Sequence, residues 1–255
     1  MQLKNVYEAI DALAPFALSG EYCDTYGFRD NSGVMLDCGG SVRGILCSLD
    51  LSARAVEEAK KQGANVIFTH HPAIFHPLYS LRDGAPLTEC AKAGISVISA
   101  HLNLDSAQGG IDEELMLGLG GNAGKLMHPL SDGGYGHLFS VHEEPLDSFL
   151  ARVKARFSTE RVIVYGDRPV CRVASFCGAG MDETSVAFAV AEGADTFLSS
   201  DGKHHLIAEL VERGLNVILL THYAAENYGF IRFVENLKTK LKGLPIGVFT
   251  DERLL

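Results

Sequence analysis

What this 255-residue sequence lacks narrows its function first. No apolar run approaches the roughly 20 residues that cross a bilayer. The opening residues, Met1-Gln2-Leu3-Lys4-Asn5, carry no apolar h-region, so neither a signal peptide nor a membrane span is expected. Basic charge is in short supply. Twenty-two Lys and Arg against 32 Asp and Glu give a formal net charge of −10. That balance argues against nucleic acid or an anionic membrane as the main partner, since either needs a basic face. None of the six cysteines (Cys23, Cys38, Cys47, Cys90, Cys171 and Cys177) sits in a C-x-x-C pair, and several lie inside apolar runs. They read as reduced, mostly buried thiols of a cytoplasmic protein. There is no low-complexity segment and no close internal repeat. What remains is 47% apolar and 21% charged, an ordinary globular composition for one large domain or two small ones.

Strand-like and helix-like stretches alternate along the chain, which predicts an α/β fold with a largely parallel or mixed sheet. In the N-terminal part, a helix is expected over 3–15, strands over 43–49, 66–69 and 95–99, and helices over 53–62, 86–92 and 111–119. Ser52 reads as an N-cap and Gly63 as the residue closing its helix. Residues 20–40 read as loop with short strand pieces, including 33–36. Six glycines over 120–136 read as a connection, placing a boundary between a first half, 1–130, and a second, 131–255. The second half alternates again, with a strand over 216–221, a long helix to about residue 241 and a final short strand over 246–248.

Three strands end alike. Ile67-Phe68-Thr69 runs into His70-His71-Pro72. Val97-Ile98-Ser99 leads to His101 and, four residues on, Asp105. Leu219-Leu220-Thr221 leads to His222 and, four residues on, Glu226. Ligands of open α/β sheets bind outside the carboxyl ends of the strands, so topology alone would gather these groups on one edge. Adjacent residues of an extended chain point to opposite sides, so His70 and His71 are expected to diverge, each suited to a different ion. His222 and Glu226 share one helical face if a helix starts there. Each feature also has an idle reading: polar residues closing a strand, a solvated helix face, an Asp that forms a turn. Imidazole with carboxylate suits Zn²⁺, Fe²⁺, Mn²⁺ or Ni²⁺ better than Ca²⁺ or Mg²⁺.

The segments T-H-H-P, H-L-N-L-D-S with G-G-I-D-E-E-L, and T-H-Y-A-A-E resemble the metal motifs of the GTP cyclohydrolase 1 type 2 family, also called NIF-three-like. Asp30-Asn31-Ser32-Gly33, Gly178-Ala179-Gly180 and Ser199-Ser200-Asp201-Gly202-Lys203-His204-His205 add to it, and the likeness runs from about residue 30 to 235. The resemblance implies two similar α/β halves with mixed sheets facing one another, and a dinuclear metal site at strand C-terminal ends between them. His71 and Asp105 would hold one ion, His70 and His222 the other, and Glu226 would bridge. It also implies a ring-like homohexamer. A chain of this length leaves no room for the third domain inserted in longer relatives. The sequence departs from the family pattern at Ser199-Ser200-Asp201, where Thr-Gly-Glu is commoner.

The function expected from this is hydrolysis by metal-bound hydroxide, with Glu226 bridging two divalent transition-metal ions and His101 moving protons. The substrate would be a small molecule: GTP, opened at a C–N bond, or another nucleotide or phosphoester. No P-loop and no Cys–His zinc set of the classical cyclohydrolase type accompanies these motifs. The alternative is a non-enzymatic metal carrier, sensor or interaction scaffold using the same five ligands. His204 and His205 are secondary candidates. His76, His128, His137 and His142 read as structural or exposed. Gly178-Ala179-Gly180 reads as a tight turn, with phosphate cradling as the alternative.

Overall fold

The computed structural model describes residues 1–255. In chain order the elements are α1 (Leu3–Asp11), α2 (Ala17–Tyr26), β1 (Gly33–Leu36), β2 (Ile45–Ser48), α3 (Ala53–Gln62), β3 (Val66–Thr69), α4 (Pro86–Ala93), β4 (Ser96–Ser99), α5 (Leu102–Ser106), α6 (Ile111–Gly118), β5 (Lys125–Pro129), β6 (Gly134–Glu144), α7 (Leu146–Phe157), β7 (Val162–Tyr165), β8 (Val170–Ser175), α8 (Glu183–Ala191), β9 (Thr196–Ser199), α9 (His204–Glu212), β10 (Asn216–Leu220), α10 (His222–Lys240) and β11 (Ile246–Val248). No helix is long and apolar enough to cross a membrane.

Two compact units share these elements. The first is residues 1–107 with 230–250, and the second is 108–229 with 251–255. The first holds a five-stranded sheet in the order β1-β4-β3-β2-β11, with β2, β3, β4 and β11 parallel and β1 antiparallel. The runs Ile45–Ser48, Val66–Thr69 and Ser96–Ser99 are buried throughout, as strands covered on both faces must be. Leu46, Val56, Ile67 and Val97 meet on one face. Phe68 stacks on Phe230 at 5.6 Å and meets Phe233 at 5.8 Å. The second unit holds a six-stranded mixed sheet, β5-β6-β8-β9-β10-β7, with β8, β9 and β10 parallel. Its core gathers Phe176, Phe197, Leu210 and Val217.

The fold class read from the sequence is the one observed: mixed α/β with two sheets. Ser52 caps α3 by accepting from the Ala55 N–H, and Gly63 closes that helix in the left-handed region. Other details differ. Residues 17–26 form α2, which the sequence presents as the start of a loop. Their Gly, Asp and Tyr content disfavours a helix, but burial of Leu18 and Tyr22 overrides propensity. The glycine-rich stretch 120–136 contains β5 and lies within the second unit rather than at a boundary. β11 pairs with β2 (Ile246 beside Ile45), which returns the end of the chain to the first unit.

One buried carboxylate ties the second unit together. Asp112 accepts the Cys177 N–H at 2.7 Å, the Gly136 N–H at 2.7 Å and His137 Nδ1–H at 2.9 Å. Replacing it with Ala strands three buried donors and should cost about 3–5 kcal/mol of unfolding free energy, read by urea titration. A loss under 1 kcal/mol would contradict that role. For His137, burial opposes the charged ring, but the hydrogen bond and charge of Asp112 outweigh it and raise the pKa above 6.5. Its contribution is therefore complete below pH 6.5 and drains away as pH rises through the higher folded value. The stability difference between the wild type and His137→Gln should shrink as pH rises above about 6.5, and a constant difference would contradict the pairing.

Candidate metal centre

In the first unit, register sets the site. Ser48, Thr69 and Ser99 lie level at the carboxyl ends of β2, β3 and β4. The ladder continues one step beyond them, with the His71 N–H donating to Leu49 O at 2.9 Å and the Ala100 N–H to Thr69 O at 3.0 Å. Asp50, His71 and His101, each two residues past its strand, therefore stand side by side. His71 donates Nδ1–H to Asp50 Oδ1 at 2.7 Å. His70, fully buried, donates Nδ1–H to Ala100 O at 2.9 Å. β1 runs antiparallel beside β4 and brings Asp30 and Ser32 to the same edge. Ser32 Oγ accepts the His101 N–H at 2.9 Å, and Asp30 Oδ1 accepts His101 Nδ1–H at 2.8 Å.

The two adjacent histidines do not diverge as strand alternation predicts. Their ring centroids are 4.8 Å apart, and His101 lies 5.2 Å from His70 and 5.9 Å from His71. Strand β3 ends at Thr69 although its ladder runs one step further, and past that end the rings turn toward one another. One donor atom from each of His70, His71 and His101 falls within a common 4.8 Å, a group able to hold a metal ion. Asp105 sits in α5, a buried helical turn where the sequence read a turn-forming loop, and its Oδ1 is 3.4 Å from His70 Nε2. For His101, burial opposes charge, but the Asp30 hydrogen bond and the Asp105 and Asp30 charges outweigh it, so its pKa is raised. For Asp30, burial is outweighed by His101 and the Ser19 and Ser32 hydroxyls, which hold it well below the usual carboxylate range.

The second unit builds a similar pair of its own. β9 and β10 are parallel, with Ser199 beside Leu219. Asp201 lies two residues past β9 and His222 two past β10. His222 donates Nδ1–H to Asp201 Oδ2 at 2.7 Å, the same arrangement as His71 with Asp50. Its Nε2 lies 2.9 Å from Oε1 of Glu226, one turn on and 2% exposed. The spacing thus forms one face of α10. Gly178 closes over this pair at φ +59°, and a Cβ there would stand 2.5 Å from Glu226 Oε1 and 3.3 Å from His222 Nε2. The Gly178-Ala179-Gly180 turn therefore packs on the pair as backbone.

These donors fit a divalent cation. A carbonyl or carboxylate oxygen beside Nδ1 leaves Nε2 of a neutral ring with its lone pair outward, the form in which histidine binds metal. His70, His71 and His222 have that arrangement. In two of them Nε2 lies near a buried carboxylate oxygen, His70 with Asp105 and His222 with Glu226.

Of the remaining histidines, His204 and His205 are exposed at the start of α9, with His205 Nε2 3.6 Å from Glu183. His76 and His142 are exposed, while His128 and His137 are buried in the second unit. The orienting residues Asp50 and Asp201 were missed as a pair by sequence reasoning. Their signal is a repeated Ser-x-Asp closing a strand, Ser48-Leu49-Asp50 and Ser199-Ser200-Asp201.

Comparison with known proteins gives concordant results. A protein of Clostridium perfringens described as a GTP cyclohydrolase 1 type 2 homolog is 29% identical over 94% of this chain and 93% of its own length. A Campylobacter jejuni protein of the same description is 30% identical over 97% and 95%. Among solved structures, Staphylococcus aureus hypothetical protein SA1388 superposes with a TM-score of 0.84 at 23% identity, over 98% of this chain and 97% of that one. Reduced HcgD from Methanocaldococcus jannaschii gives 0.82 at 27%, over 98% of each. The sequence profile of one family matches residues 1–252, and by that match the chain belongs to the Duf34/NIF3 (NGG1p interacting factor 3) family.

Proposed function

We propose that this chain is a metal-dependent hydrolase with a dinuclear centre, its ligands His70, His71, Asp105, His222 and Glu226. The observation that carries the reading is the shared posture of the histidines, each giving Nδ1–H to a fixed oxygen and turning Nε2 outward. The family resemblance assigns His71 and Asp105 to one ion, His70 and His222 to the other, and Glu226 to both. Mixed imidazole and carboxylate donors favour Zn²⁺, Fe²⁺, Mn²⁺ or Ni²⁺. Two such ions supply Lewis acidity and water activation at neutral pH.

The chain's own residues do the rest. Asp50 and Asp201 fix the tautomer and angle of His71 and His222. Asp30 holds a proton on His101, which can deliver it to a leaving group. The substrate in this reading is a small molecule, GTP or another nucleotide or phosphoester, as the relatives' names suggest. Six free thiols accord with a cytoplasmic setting, and the resemblance adds a ring-like homohexamer. The side chains of His71 and His222 are 26% and 33% exposed, which would also suit a protein that hands its metal on. Turnover separates that carrier from the enzyme.

Elemental analysis of the purified protein should find about two transition-metal ions per chain. His70→Ala, Asp105→Ala and Glu226→Gln should each lower that content with the fold retained by circular dichroism. Two ions kept in full by Glu226→Gln would overturn its bridging role. GTP ring opening that rises with metal content supports the enzyme, and loaded protein inert on nucleotides and phosphoesters supports the carrier. Asp50→Ala and Asp201→Ala, which leave every ligand in place, should weaken metal affinity about 10–100-fold in competition with a chelator. Unchanged affinity in both would mean the two carboxylates do not orient the rings.

A further inference from the structure

The last residues of three neighbouring strands, Ser48 of β2, Thr69 of β3 and Ser99 of β4, are level in register, and each carries a hydroxyl. All three are buried. Their hydroxyls bond to the chain just past the sheet. Ser48 Oγ donates to Asp50 O at 2.8 Å, and Thr69 Oγ1 donates to His71 O at 2.9 Å. Asp50 and His71 are the two residues whose side chains pair at 2.7 Å. Ser99 Oγ accepts the Ala73 N–H at 3.1 Å and lies 2.7 Å from Thr69 Oγ1. An amide N–H only donates, a carbonyl only accepts, and a hydroxyl has one proton. Thr69 commits its proton to His71 O, so the proton between the two hydroxyls is that of Ser99. The chain of bonds therefore runs one way, from Ala73 N–H to Ser99, from Ser99 to Thr69, and from Thr69 to His71 O.

We infer that Thr69 and Ser99 are positioning residues for the adjacent histidines, holding the backbone turn that sets the His71 ring beside His70. Strand alternation sends neighbouring side chains to opposite sides, yet these ring centroids are 4.8 Å apart. Past Thr69 the ladder holds the His71 N–H on Leu49 O, and Pro72 has no N–H to offer. The hydroxyls act where the ladder stops. They fix His71 O on one side of the proline and the Ala73 N–H on the other. Ser48 holds Asp50 O in the same manner, so both members of the Asp50–His71 pair are tied to a hydroxyl two residues back. The inference rests on the metal-centre reading for the consequence of the ring posture, and on these bonds for the posture itself.

The test separates the hydroxyl from the shape of the side chain. Thr69→Val keeps the branched shape and removes the proton donor, whereas Thr69→Ser keeps the donor and removes a methyl. Full-length variants with the circular dichroism of the wild type are loaded with Co²⁺ in competition with a chelator. Thr69→Val should bind about tenfold or more weakly, as when an orienting partner of a ligand is lost. Thr69→Ser should stay within about threefold of the wild type. The visible bands of bound Co²⁺, which report its surroundings, should change in Thr69→Val and hold in Thr69→Ser. Ser99→Ala frees the Ala73 N–H but leaves Thr69 its acceptor, so its affinity should fall between the two, and it carries the test if Thr69→Val does not fold. Unchanged affinity and bands in the variant lacking the hydroxyl overturn the inference. So does a Thr69→Ser as weak as Thr69→Val, because the methyl would then be what matters. A wild type that takes up no Co²⁺ removes the metal-centre reading, and crystals of the metal-free proteins then decide. A ring separation that grows from 4.8 Å by more than about 0.5 Å in Thr69→Val sustains the positioning role, and an unchanged separation overturns it.

Discussion

A neutral imidazole has one N–H, and where that proton goes decides what the ring can do. In this protein the end of a parallel strand makes the decision. Backbone and carboxylate oxygens at the neighbouring strand end take Nδ1–H from His70, His71 and His222, and Asp30 takes it from His101. Each Nε2 is then fixed in direction by its β-sheet rather than by a mobile loop. The accuracy needed at a metal or catalytic site, a fraction of an ångström, comes from hydrogen-bonded register. The buried strands Ile45–Ser48, Val66–Thr69 and Ser96–Ser99 therefore serve the site as well as the core, since a slip of one residue would move every group at their ends.

Both units use the same local device. An Asp two residues beyond one parallel strand accepts from a His two residues beyond the next, at 2.7 Å in each case. What surrounds the device differs. In the first unit β1 lies antiparallel on β4 and contributes Asp30 and Ser32. In the second, the turn after β8 lays the bare backbone of Gly178 on His222 and Glu226. A side chain at 178 would have to displace the carboxylate, and its φ of +59° disfavours one in any case. The glycine motif that resembles a phosphate loop in sequence is explained by this close approach.

The parts that were legible in the sequence are those governed by local rules. Alternation of strands and helices gave the fold class. The i, i+4 spacing of His222 and Glu226 placed both on one face of α10, and Ser52 and Gly63 marked the ends of α3. What could not be read depends on contacts distant in the chain. α2 forms because Leu18 and Tyr22 are buried, against the preference of its own residues. β11 joins β2 across about 200 residues of sequence, so a boundary drawn from glycine content could not anticipate it. The expected divergence of His70 and His71 rested on strand alternation, which the two rings at the end of the ladder do not follow. Asp50 escaped notice because it becomes meaningful only once register sets it beside His71.

Histidine and carboxylate meet in this chain in two ways, and the difference bears on what the site is for. Asp30 with His101 and Asp112 with His137 are N–H to carboxylate contacts, and in both the histidine's pKa is raised. Such pairs stabilise the fold by themselves. Asp105 and Glu226 instead face Nε2 of rings whose proton is already committed at Nδ1. Two buried carboxylates in that posture, in a chain of net charge −10, are groups that a cation would stabilise. The second kind is the one a metal-binding reading calls for, because a cation held by such an oxygen and nitrogen would gain binding energy there and, by linkage, would stabilise the folded chain.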